Sequence, residues 1–465
     1  MAAVPAAASP DARPLRVAVV GSGPAGFYAA NALLGADPPT EVDMLERLPT
    51  PWGLVRLGVA PDHPKLKDVS RAFERTAQKP GFRFFGNVEV GAQITHDDLV
   101  RFYDAVVYTV GAQTDNRLGV PGEDLPGSWS ATQFVAWYNG HPDFQDLEFD
   151  LSDERAVVVG AGNVALDVAR MLALTREELQ STDTTDRAIE AIAESGIREI
   201  VLLARRGPAQ AAFTTPELKE LGELAGADVV VDPAELELDE ASAASLEGNT
   251  NATRNMEVLR EFAARVPTGK PRRVALCFLV SPVAIVGEER VEAVETVQNE
   301  LVSEGERISA RATDRRGTIP AGIVFRSVGY RGVALPGLPF DAARGTLLND
   351  GGRVLDESGE PLAGVYCAGW IKRGPTGVIG TNKKDATETV KLLLEDAAAG
   401  RLTGAAEPRD LAEVLAERGG EPVLYAGWEE IDRVEKAAGE PHGRPRVKLH
   451  SWDSLLAAAR GRETA

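Results

Sequence analysis

The sequence predicts an α/β protein organised around two βαβ units. The first unit occupies residues 15–47 and the second residues 155–207. In each unit an apolar strand leads into a glycine-rich turn, an amphipathic helix and a second apolar strand. A glycine turn by itself also occurs for packing reasons, but the combination of strand, turn, helix and second strand favours a dinucleotide-binding unit. The two units together therefore predict two Rossmann-like, three-layer domains on one chain.

The first unit has the residues that a dinucleotide requires. Gly21 permits a tight turn after the strand Val17–Val20, Gly23 lets a pyrophosphate approach the backbone, and Gly26 lets the helix pack on the strand. The helix N-terminus then offers unpaired N–H groups to the phosphates. Glu46 follows Gly26 by about 20 residues, where a carboxylate accepts ribose hydroxyls and repels a 2′-phosphate. This unit is predicted to bind FAD or NAD rather than NADP.

The second unit repeats the pattern with the opposite charge at its end. Gly160 and Gly162 take the first two glycine places, and Ala165 takes the third. Its second strand ends in Arg205 and Arg206 instead of an acid. Guanidinium groups are permanently charged and donate in a fork, which suits a ribose 2′-phosphate. The pair of units therefore predicts FAD in the first and NADP in the second.

The segment 48–67 is too rich in proline for regular structure and too apolar for a simple linker. Its position after the Glu46 strand predicts that Trp52, Leu54 and Val55 lie against the cofactor, with His63 nearby. The alternative is an ordered loop packed on its own domain, in which His63 only forms a hydrogen bond.

The remaining elements are predicted from their hydrophobic periodicity. They are an amphipathic helix at 67–79, strands at 83–91 and 103–112, helical stretches at 175–196 and within 217–265, and strands between 270 and 302 that form an antiparallel addition. In the segment 364–400 a strand ends in Gly369-Trp370, and Thr381 and Asn382 are predicted to cap the following helix.

The order of these elements predicts that the second unit is inserted into the first. Residues 1–14 are expected to be a loose tail. Residues 15–112 and 333–465 are expected to form a discontinuous FAD domain, and residues 113–332 the NADP domain. The helix after Gly369 would direct its N-terminus at the flavin and stabilise negative charge there.

Composition excludes several classes of function. The 465 residues carry 50 basic and 70 acidic side chains, a net charge of −20, which argues against nucleic-acid or anionic-membrane binding. Cys277 and Cys367 lie far apart in apolar runs and are expected to be buried thiols. No metal-ligand spacing and no transmembrane-length apolar run is visible. We therefore predict a cytoplasmic protein without a metal.

The sequence resembles the adrenodoxin-reductase-type ferredoxin-NADP reductases, a family of FAD-dependent enzymes with bacterial members. The resemblance extends from Leu15 to about Arg460. It is carried by the motifs GSGPAGFYAA, PTPWGLVRLGVAPDHPKLK, FRFFGNVEVG, GAGNVALDVAR, ARRGPAQAAFTTPEL, FRSVGYRG and GWIKRGPTGVIGTNKKDA. It implies a glutathione-reductase-like architecture.

The resemblance also implies roles for individual residues. Those implied to contact FAD are Ala25, Glu46, Leu54, Val90, Trp370, Gly377, Val378 and Ile379. Those implied to contact NADP are Gly162, Asn163, Val164, Arg205, Arg206 and Glu217, with Gly377 where nicotinamide meets flavin. His63 and Asp167 match a proton relay near the flavin, although each could have a purely structural role.

The predicted activity is hydride transfer from NADPH to FAD, followed by single-electron transfer to a ferredoxin-type iron–sulfur protein. The docking is expected to be transient and the protein a monomer. Since the whole chain is acidic, docking needs a local basic patch, for which Lys270, Arg272, Arg273, Lys372 and Arg373 are candidates.

Three alternatives remain at this point. A quinone or diaphorase-type reductase would use a small-molecule acceptor. A flavin disulfide reductase would need a Cys-x-x-Cys pair, which this sequence lacks. A nucleotide sensor without turnover would be colourless on purification.

Overall fold

The computed structural model of the protein describes residues 13–304 and 307–461. Apart from Arg13 and Pro14, the predicted N-terminal tail lies outside these residues.

The strands are β1 Leu15–Val20, β2 Thr40–Leu45, β3 Phe82–Gly86, β4 Ala105–Tyr108, β5 Thr114–Asp115, β6 Ser128–Ser130, β7 Arg155–Val159, β8 Glu199–Ala204, β9 Ala227–Val231, β10 Arg272–Phe278, β11 Val280–Val286, β12 Ala293–Glu304, β13 Arg307–Pro320, β14 Ile323–Arg326, β15 Tyr330–Arg331, β16 Phe340–Asp341, β17 Thr346–Leu347, β18 Asn349–Asp350, β19 Arg353–Leu355, β20 Pro361–Cys367 and β21 Val423–Leu424.

The α-helices are α1 Pro24–Leu33, α2 Leu54–Leu57, α3 Pro64–Lys67, α4 Ser70–Ala77, α5 His96–Phe102, α6 Ala131–Tyr138, α7 Asn163–Ala173, α8 Arg176–Gln180, α9 Asp186–Ala193, α10 Thr215–Leu221, α11 Glu240–Ser245, α12 Thr250–Ala264, α13 Trp370–Arg373, α14 Ile379–Ala398, α15 Leu411–Glu417, α16 Tyr425–Gly439 and α17 Trp452–Ala459.

An eight-stranded sheet contains the first βαβ unit, in the order β18-β19-β20-β4-β1-β2-β3-β21. Its five strands from β20 to β3 run parallel, and antiparallel strands close both edges. Both faces are apolar, which is why the central strands read as unbroken hydrophobic runs. Helices α1, α14, α16 and α17 cover one face, and α5 and α15 cover the other.

A six-stranded parallel sheet contains the second unit, in the order β6-β14-β7-β8-β10-β9. Helices α6, α7, α9, α10 and α12 cover one face. The antiparallel sheet β11-β12-β13 covers the other, where Ile285 and Val294 pack with Val157 and Leu203. The predicted α/β class with two Rossmann-like units is confirmed.

Two short strands mark where the chain passes between the sheets. β5 and β15 pair antiparallel, so the outgoing and returning crossings lie side by side. The first sheet takes its strands from residues 15–108, 349–367 and 423–424, and the second from residues 128–326. The exact domain boundaries stay a prediction.

Two details of the predicted elements are wrong. The helix expected at 67–79 is shorter: α4 spans Ser70–Ala77, whereas Lys67 ends the separate helix α3 and binds the buried Asp183. The strand β10 is parallel and lies inside the six-stranded sheet rather than in the antiparallel addition. The strand β9 lies within 217–265, where the sequence predicted helical stretches but no strand.

Buried charges connect Lys448, in the C-terminal region, with segments that follow both glycine turns. Asp183 binds Lys67 Nζ through both carboxylate oxygens at 2.6 and 2.8 Å, and Lys448 Nζ lies 3.2 Å from its Oδ2. Lys448 also donates to the Arg56 carbonyl and to Asn139 Oδ1, each at 3.1 Å. Burial alone would raise the pKa of Asp183, but the charges of Lys448 and Lys67 hold that pKa well below its usual value.

Replacing Asp183 with Ala should lower the free energy of unfolding by about 3 kcal/mol, because two buried lysines lose their shared anion. Denaturant unfolding measures this loss. The control is Glu300→Ala, which breaks the half-exposed pair with Arg311 and should cost less than about 1 kcal/mol. Equal losses in the two variants would show that the Asp183 network does not stabilise the fold.

Candidate active site

The first glycine turn leaves room for a ligand on one side and is tightly packed on the other. Gly21 has φ +101°, and a Cβ there would lie 2.8 Å from the Thr109 backbone. A Cβ on Gly26 would lie 2.1 Å from the Gly21 carbonyl oxygen, so helix and strand are in close contact. A Cβ on Gly23 would meet no described atom within 4 Å. No described side chain caps α1, so its first N–H groups point into this open space.

Glu46 is held at the same turn. Its Oε2 accepts hydrogen bonds from Ser22 N at 3.0 Å and Ser22 Oγ at 2.6 Å. Its Oε1 accepts from Leu48 N at 3.1 Å. These bonds fix an anion at the end of β2, where a ribose would lie.

The loop after β2 lies against this turn. Trp52 N–H donates to the Ser22 carbonyl at 3.0 Å, and a Cβ on Gly53 would lie 3.0 Å from Gly23 Cα. Leu54 is 36% exposed although it is apolar. Val90 follows β3, forms a bridge with Ile94 and is partly buried.

The return segment brings a second helix N-terminus to the first unit. Gly369 has φ +79°, a Cβ there would lie 2.7 Å from Ala25 Cβ, and its N–H donates to Asp385 Oδ2 at 2.5 Å. Beyond Trp370, Gly377 is exposed and Val378 is 59% exposed at the start of α14, which begins at Ile379. An apolar side chain this exposed beside a glycine turn suits a surface that covers a ligand.

The predicted cap of α14 is confirmed for Thr381 and wrong for Asn382. The helix begins at Ile379, and Thr381 Oγ1 accepts from the backbone N–H of the N-cap residue Val378 at 3.2 Å. Asn382 Oδ1 accepts from Arg373 at 2.6 Å and therefore anchors the loop rather than the helix end.

The second glycine turn repeats the geometry of the first. A Cβ on Gly160 would lie 2.2 Å from the Ser327 carbonyl oxygen, whereas one on Gly162 would meet no described atom within 4 Å. Asn163, the first residue of α7, accepts from Thr214 N at 2.8 Å through its side chain. Val164 packs partly buried on the helix-covered core. The open side again faces an uncapped helix N-terminus.

The two predicted arginines end β8 at this edge of the sheet. Arg205 is exposed, and Arg206 is half-buried and donates to the Gln210 carbonyl at 3.3 Å. These two arginines follow the second strand of their unit, as Glu46 follows the second strand of the first unit.

A buried guanidinium joins the two units. Arg170 on α7 is 2% exposed and binds Asp62 Oδ2 through Nε at 2.5 Å. It also binds Asp167 Oδ1 at 2.8 Å and lies 3.4 Å from Glu217 Oε2. Asp62 belongs to the loop after β2, whereas Asp167 and Glu217 belong to the second unit. Arg170 therefore connects the loop of one unit with the helix of the other.

His63 lies inside this network. Its Nε2 is 2.5 Å from Glu220 Oε2 and 3.4 Å from Glu217 Oε2. Its Nδ1 lies 3.5 Å from Arg170 Nη2. Since a guanidinium only donates, Nδ1 is assigned as the acceptor and Nε2–H as the donor to Glu220.

The carboxyl groups of the cluster have pKa values that are shifted in opposite directions. Burial raises the pKa of Asp167 in spite of Arg170 and His63. Burial and the charge of Asp167 raise the pKa of Glu217. Burial also acts to raise the pKa of Asp62, but Arg170 outweighs it and lowers that pKa. Carboxyl groups with pKa values shifted in opposite directions are a typical acid–base arrangement.

Aromatic side chains connect this cluster with the return segment. The Tyr330 ring lies 5.3 Å from the Trp370 ring, and burial followed by the charge of Asp167 raises the pKa of Tyr330. Tyr138 is fully buried, and its pKa is raised by burial and by Asp167. Among the described residues, the Tyr138 hydroxyl and the indole N–H groups of Trp52 and Trp370 are buried without a hydrogen-bond partner. Such unpaired groups suit a site that a polar ligand completes.

The nitrogen and oxygen atoms of His63, Glu217 and Glu220 lie within 4.8 Å of one another, as metal ligands do. A metal on Nε2 would require the imidazole proton on Nδ1, which faces the donor Arg170. The Arg170 charge also opposes a cation. The geometry favours a hydrogen-bonded proton network over a metal site.

The residues that sequence reasoning missed here are Asp62, Tyr138, Arg170, Glu220 and Tyr330. Two of them had a signal, because Arg170 lies one helical turn after Asp167 and Glu220 lies one turn after Glu217. Tyr138 and Tyr330 enter the site only through the chain crossings and have no local motif.

The predicted docking patch at 270–273 is wrong. Lys270, Arg272 and Arg273 lie at the amino ends of the parallel strands, at the edge opposite the glycine turns. Arg272 is buried and donates to the carbonyls of Leu172, Leu174 and Ile192. Lys372 and Arg373 lie on the return segment, but they bind Asp385 and Asn382.

Comparison with known proteins shows which named enzymes the chain resembles. The family model described as "Pyridine nucleotide-disulphide oxidoreductase" matches residues 15–206. The NADPH-ferredoxin reductase FprA of Mycobacterium tuberculosis is 53% identical over 96% of this chain and 99% of its own length. The mitochondrial NADPH:adrenodoxin oxidoreductase of Salvelinus fontinalis is 40% identical over 96% of this chain and 91% of its own.

A solved structure of Mycobacterium tuberculosis FprA in complex with NADPH matches with a TM-score of 0.90 and 51% identity. The match covers 97% of this chain and 100% of the FprA chain. Within residues 13–304 and 307–461, no helix is both long and apolar enough to cross a lipid bilayer.

Replacing Arg170 with Met should destabilise the fold more at pH 8 than at pH 5. Without the guanidinium, the carboxyls of Asp167 and Glu217 have pKa values raised further above their unfolded values. Such a group lowers stability when ionised, and the penalty disappears as the pH falls and it binds a proton. The expected loss is about 3 kcal/mol at pH 8, and smaller at pH 5, measured by denaturant unfolding at both values.

The matched control is Arg273→Met, which removes a more exposed guanidinium from Glu199. It should cost less than about 1 kcal/mol at either pH. A loss for Arg170→Met that does not change between pH 5 and pH 8 would contradict the electrostatic account.

Proposed function

The chain belongs to the family of NADPH-ferredoxin reductases, and we propose that it transfers electrons from NADPH through bound FAD to a ferredoxin-type iron–sulfur protein. The family resemblance predicted from the sequence is confirmed by relatives that match almost the whole chain. One observation carries the proposal: FprA is 53% identical to this protein over 96% of this chain and 99% of its own length. The opposite charges at the ends of the two βαβ units support it.

FAD is proposed to bind at the first unit. Its phosphates would lie on the open side of Gly21, Gly23 and Gly26, and its ribose on Glu46. The other residues proposed to contact FAD are Ala25, Leu54, Val90, Trp370, Gly377, Val378 and Ile379. The support is the open space at Gly23, the exposed apolar side chains of Leu54 and Val378, and the unpaired indole N–H of Trp370.

NADPH is proposed to bind at the second unit. Gly160, Gly162, Asn163 and Val164 form the turn for its pyrophosphate, and Arg205 and Arg206 would bind its 2′-phosphate. Glu217 would lie near the nicotinamide, because it shares a buried cluster with Asp167 and His63. Gly377 is the proposed meeting point of nicotinamide and flavin.

When bound, FAD supplies the step from two-electron to one-electron transfer, since nicotinamide carries a hydride and a ferredoxin accepts single electrons. The side chains described here provide position and proton control. Arg170 holds the loop of Asp62 and His63 against α7. His63 holds a proton on Nε2 and shares it with Glu220. Asp167 is a second proton-holding group, since burial favours its neutral form.

The domain boundaries, the partner, the oligomeric state and the location of the protein are also proposals. We propose residues 15–112 and 333–465 as the FAD domain and residues 113–332 as the NADP domain. The partner is proposed to be an iron–sulfur protein that binds transiently to a monomeric enzyme in the cytoplasm.

Rapid mixing of the yellow holoprotein with NADPH, and then with a ferredoxin or a quinone, tests the function. We expect the flavin absorbance to bleach on mixing with NADPH and to return faster with ferredoxin than with quinone. Faster return with quinone would support the small-molecule acceptor instead, and no bleaching would refute the reductase assignment.

Replacing both Arg205 and Arg206 with Ala should raise the KM for NADPH by about 100-fold, because two charge-assisted contacts to the 2′-phosphate are lost. The KM for NADH should stay within about twofold, since NADH lacks that phosphate. Steady-state kinetics with both nucleotides measures the difference. The control is Arg198→Ala, an exposed arginine at the opposite sheet edge. Equal losses for the two nucleotides would refute the assignment.

Replacing His63 with Ala should slow flavin reduction by NADPH about tenfold or more without releasing FAD, because a positioned proton donor is lost. Stopped-flow absorbance gives the rate, and the bound flavin spectrum gives the FAD content. The exposed His450 provides the control variant His450→Ala, which should behave as the parent. An unchanged rate in His63→Ala would leave His63 with a packing role only.

A further inference from the structure

The turn that presents Arg205 and Arg206 is fixed from behind by the small antiparallel sheet. Asn299 on β12 is 3% exposed. Its Nδ2 donates to the Arg205 carbonyl at 2.8 Å and to Ser281 Oγ at 2.8 Å. Both amide hydrogens are therefore used, one on the arginine turn and one on β11. A buried amide with both donors satisfied holds a single orientation.

The backbone continues the same connection. Asn299 N–H donates to the Leu279 carbonyl at 2.6 Å, and Leu279 N–H donates to the Arg206 carbonyl at 3.2 Å. Leu279 has φ +59°, a conformation that side-chain-bearing residues rarely adopt. A Cβ on Gly207 would lie 3.3 Å from the Leu301 side chain, so the turn also packs on β12. The backbone carbonyls of both arginines are thus bound, one by Asn299 on β12 and one by Leu279, the residue directly before β11.

An irregularity in the β12–β13 ribbon lies beside Asn299. Val297 pairs with Arg316 and Asn299 with Ala312, so the extra residues of the register shift lie in β13. A bulge of this kind bends the strand locally. The buried amide of Asn299 lies next to this bend and points towards the end of β8.

We propose that Asn299 is a positioning residue for NADPH specificity, which fixes the backbone of Arg205 so that the arginine pair meets the ribose 2′-phosphate. This inference rests on the proposed function of Arg205 and Arg206. The Arg205 side chain is exposed, so the position of its guanidinium depends on the backbone that carries it. A shift of that backbone by about 1 Å changes the distance of both guanidinium groups to the phosphate.

The test uses holoprotein with Asn299→Ala and with Ser281→Ala, which leaves Asn299 in place but removes the group that orients its amide. Calorimetry measures the affinity for 2′,5′-ADP, which carries the 2′-phosphate, and for ADP, which lacks it. We expect Asn299→Ala to weaken 2′,5′-ADP about tenfold and Ser281→Ala about threefold, with ADP unchanged. The NADPH-to-NADH ratio of kcat/KM should fall by the same factors.

Thr296→Val is the matched control, because it is a buried, nearly isosteric change on the same strand. It should leave both affinities and the nucleotide ratio as in the parent. Thermal melting and the bound-flavin spectrum report whether each variant is folded. If Asn299→Ala does not fold, Ser281→Ala decides the result.

Two outcomes would overturn the inference. One is an unchanged affinity for 2′,5′-ADP in the folded variants. The other is an equal loss for 2′,5′-ADP and ADP, which would mean that Asn299 supports the whole cleft. The double variant Arg205→Ala/Arg206→Ala is measured in parallel. If that variant also keeps its affinity for 2′,5′-ADP, the arginine assignment fails; if it loses affinity while Asn299→Ala does not, only the role of Asn299 fails.

Discussion

The buried guanidinium of Arg170 is the constraint on which the candidate site depends. It binds Asp62 from the first unit and Asp167 from the second, so a loop and a helix far apart in sequence have a fixed distance. A guanidinium suits this position because it stays charged when buried and donates to several carboxylates at once. Each carboxylate alone would be costly to bury, and together with Arg170 they form a satisfied network. The orientation of His63 follows from this network, since Arg170 determines which imidazole nitrogen accepts.

The sequence predicted the parts of the structure that local chemistry decides. The glycine turns at Gly21 and Gly160 and the acid at Glu46 could be identified because each has a short-range signature with a mechanical reason. The buried cluster could be predicted only in part. His63 and Asp167 were found, whereas Arg170 and Glu220 were not, because a charged residue on a helix is most often exposed and nothing in the sequence shows what lies opposite. Tyr138 and Tyr330 depend wholly on how the two chain crossings pack.

Two of the wrong predictions concern basic side chains. The sequence predicts a helix from Lys67 onward and offers Arg272 as part of a basic docking patch, because the acidic chain needs one. In the structure Lys67 binds the buried Asp183, and Arg272 donates to carbonyls of α7 and α9. In both cases a long side chain reaches buried acceptors that belong to distant segments. Such partners cannot be seen in a local pattern.

The two nucleotide units differ in how their specificity is supported. Glu46 is fixed by its own unit, since Ser22 and Leu48 donate to its carboxylate from the neighbouring turn and loop. The arginine turn receives hydrogen bonds from Asn299 on β12 and from Leu279 directly before β11, both outside the βαβ unit. A carboxylate on a short side chain can be fixed by local donors. Long guanidinium side chains have more rotational freedom, so their position depends more on a fixed backbone. The glycine turn alone does not fix the backbone of Arg205 and Arg206. The antiparallel sheet provides this support for the cations proposed to distinguish NADPH from NADH.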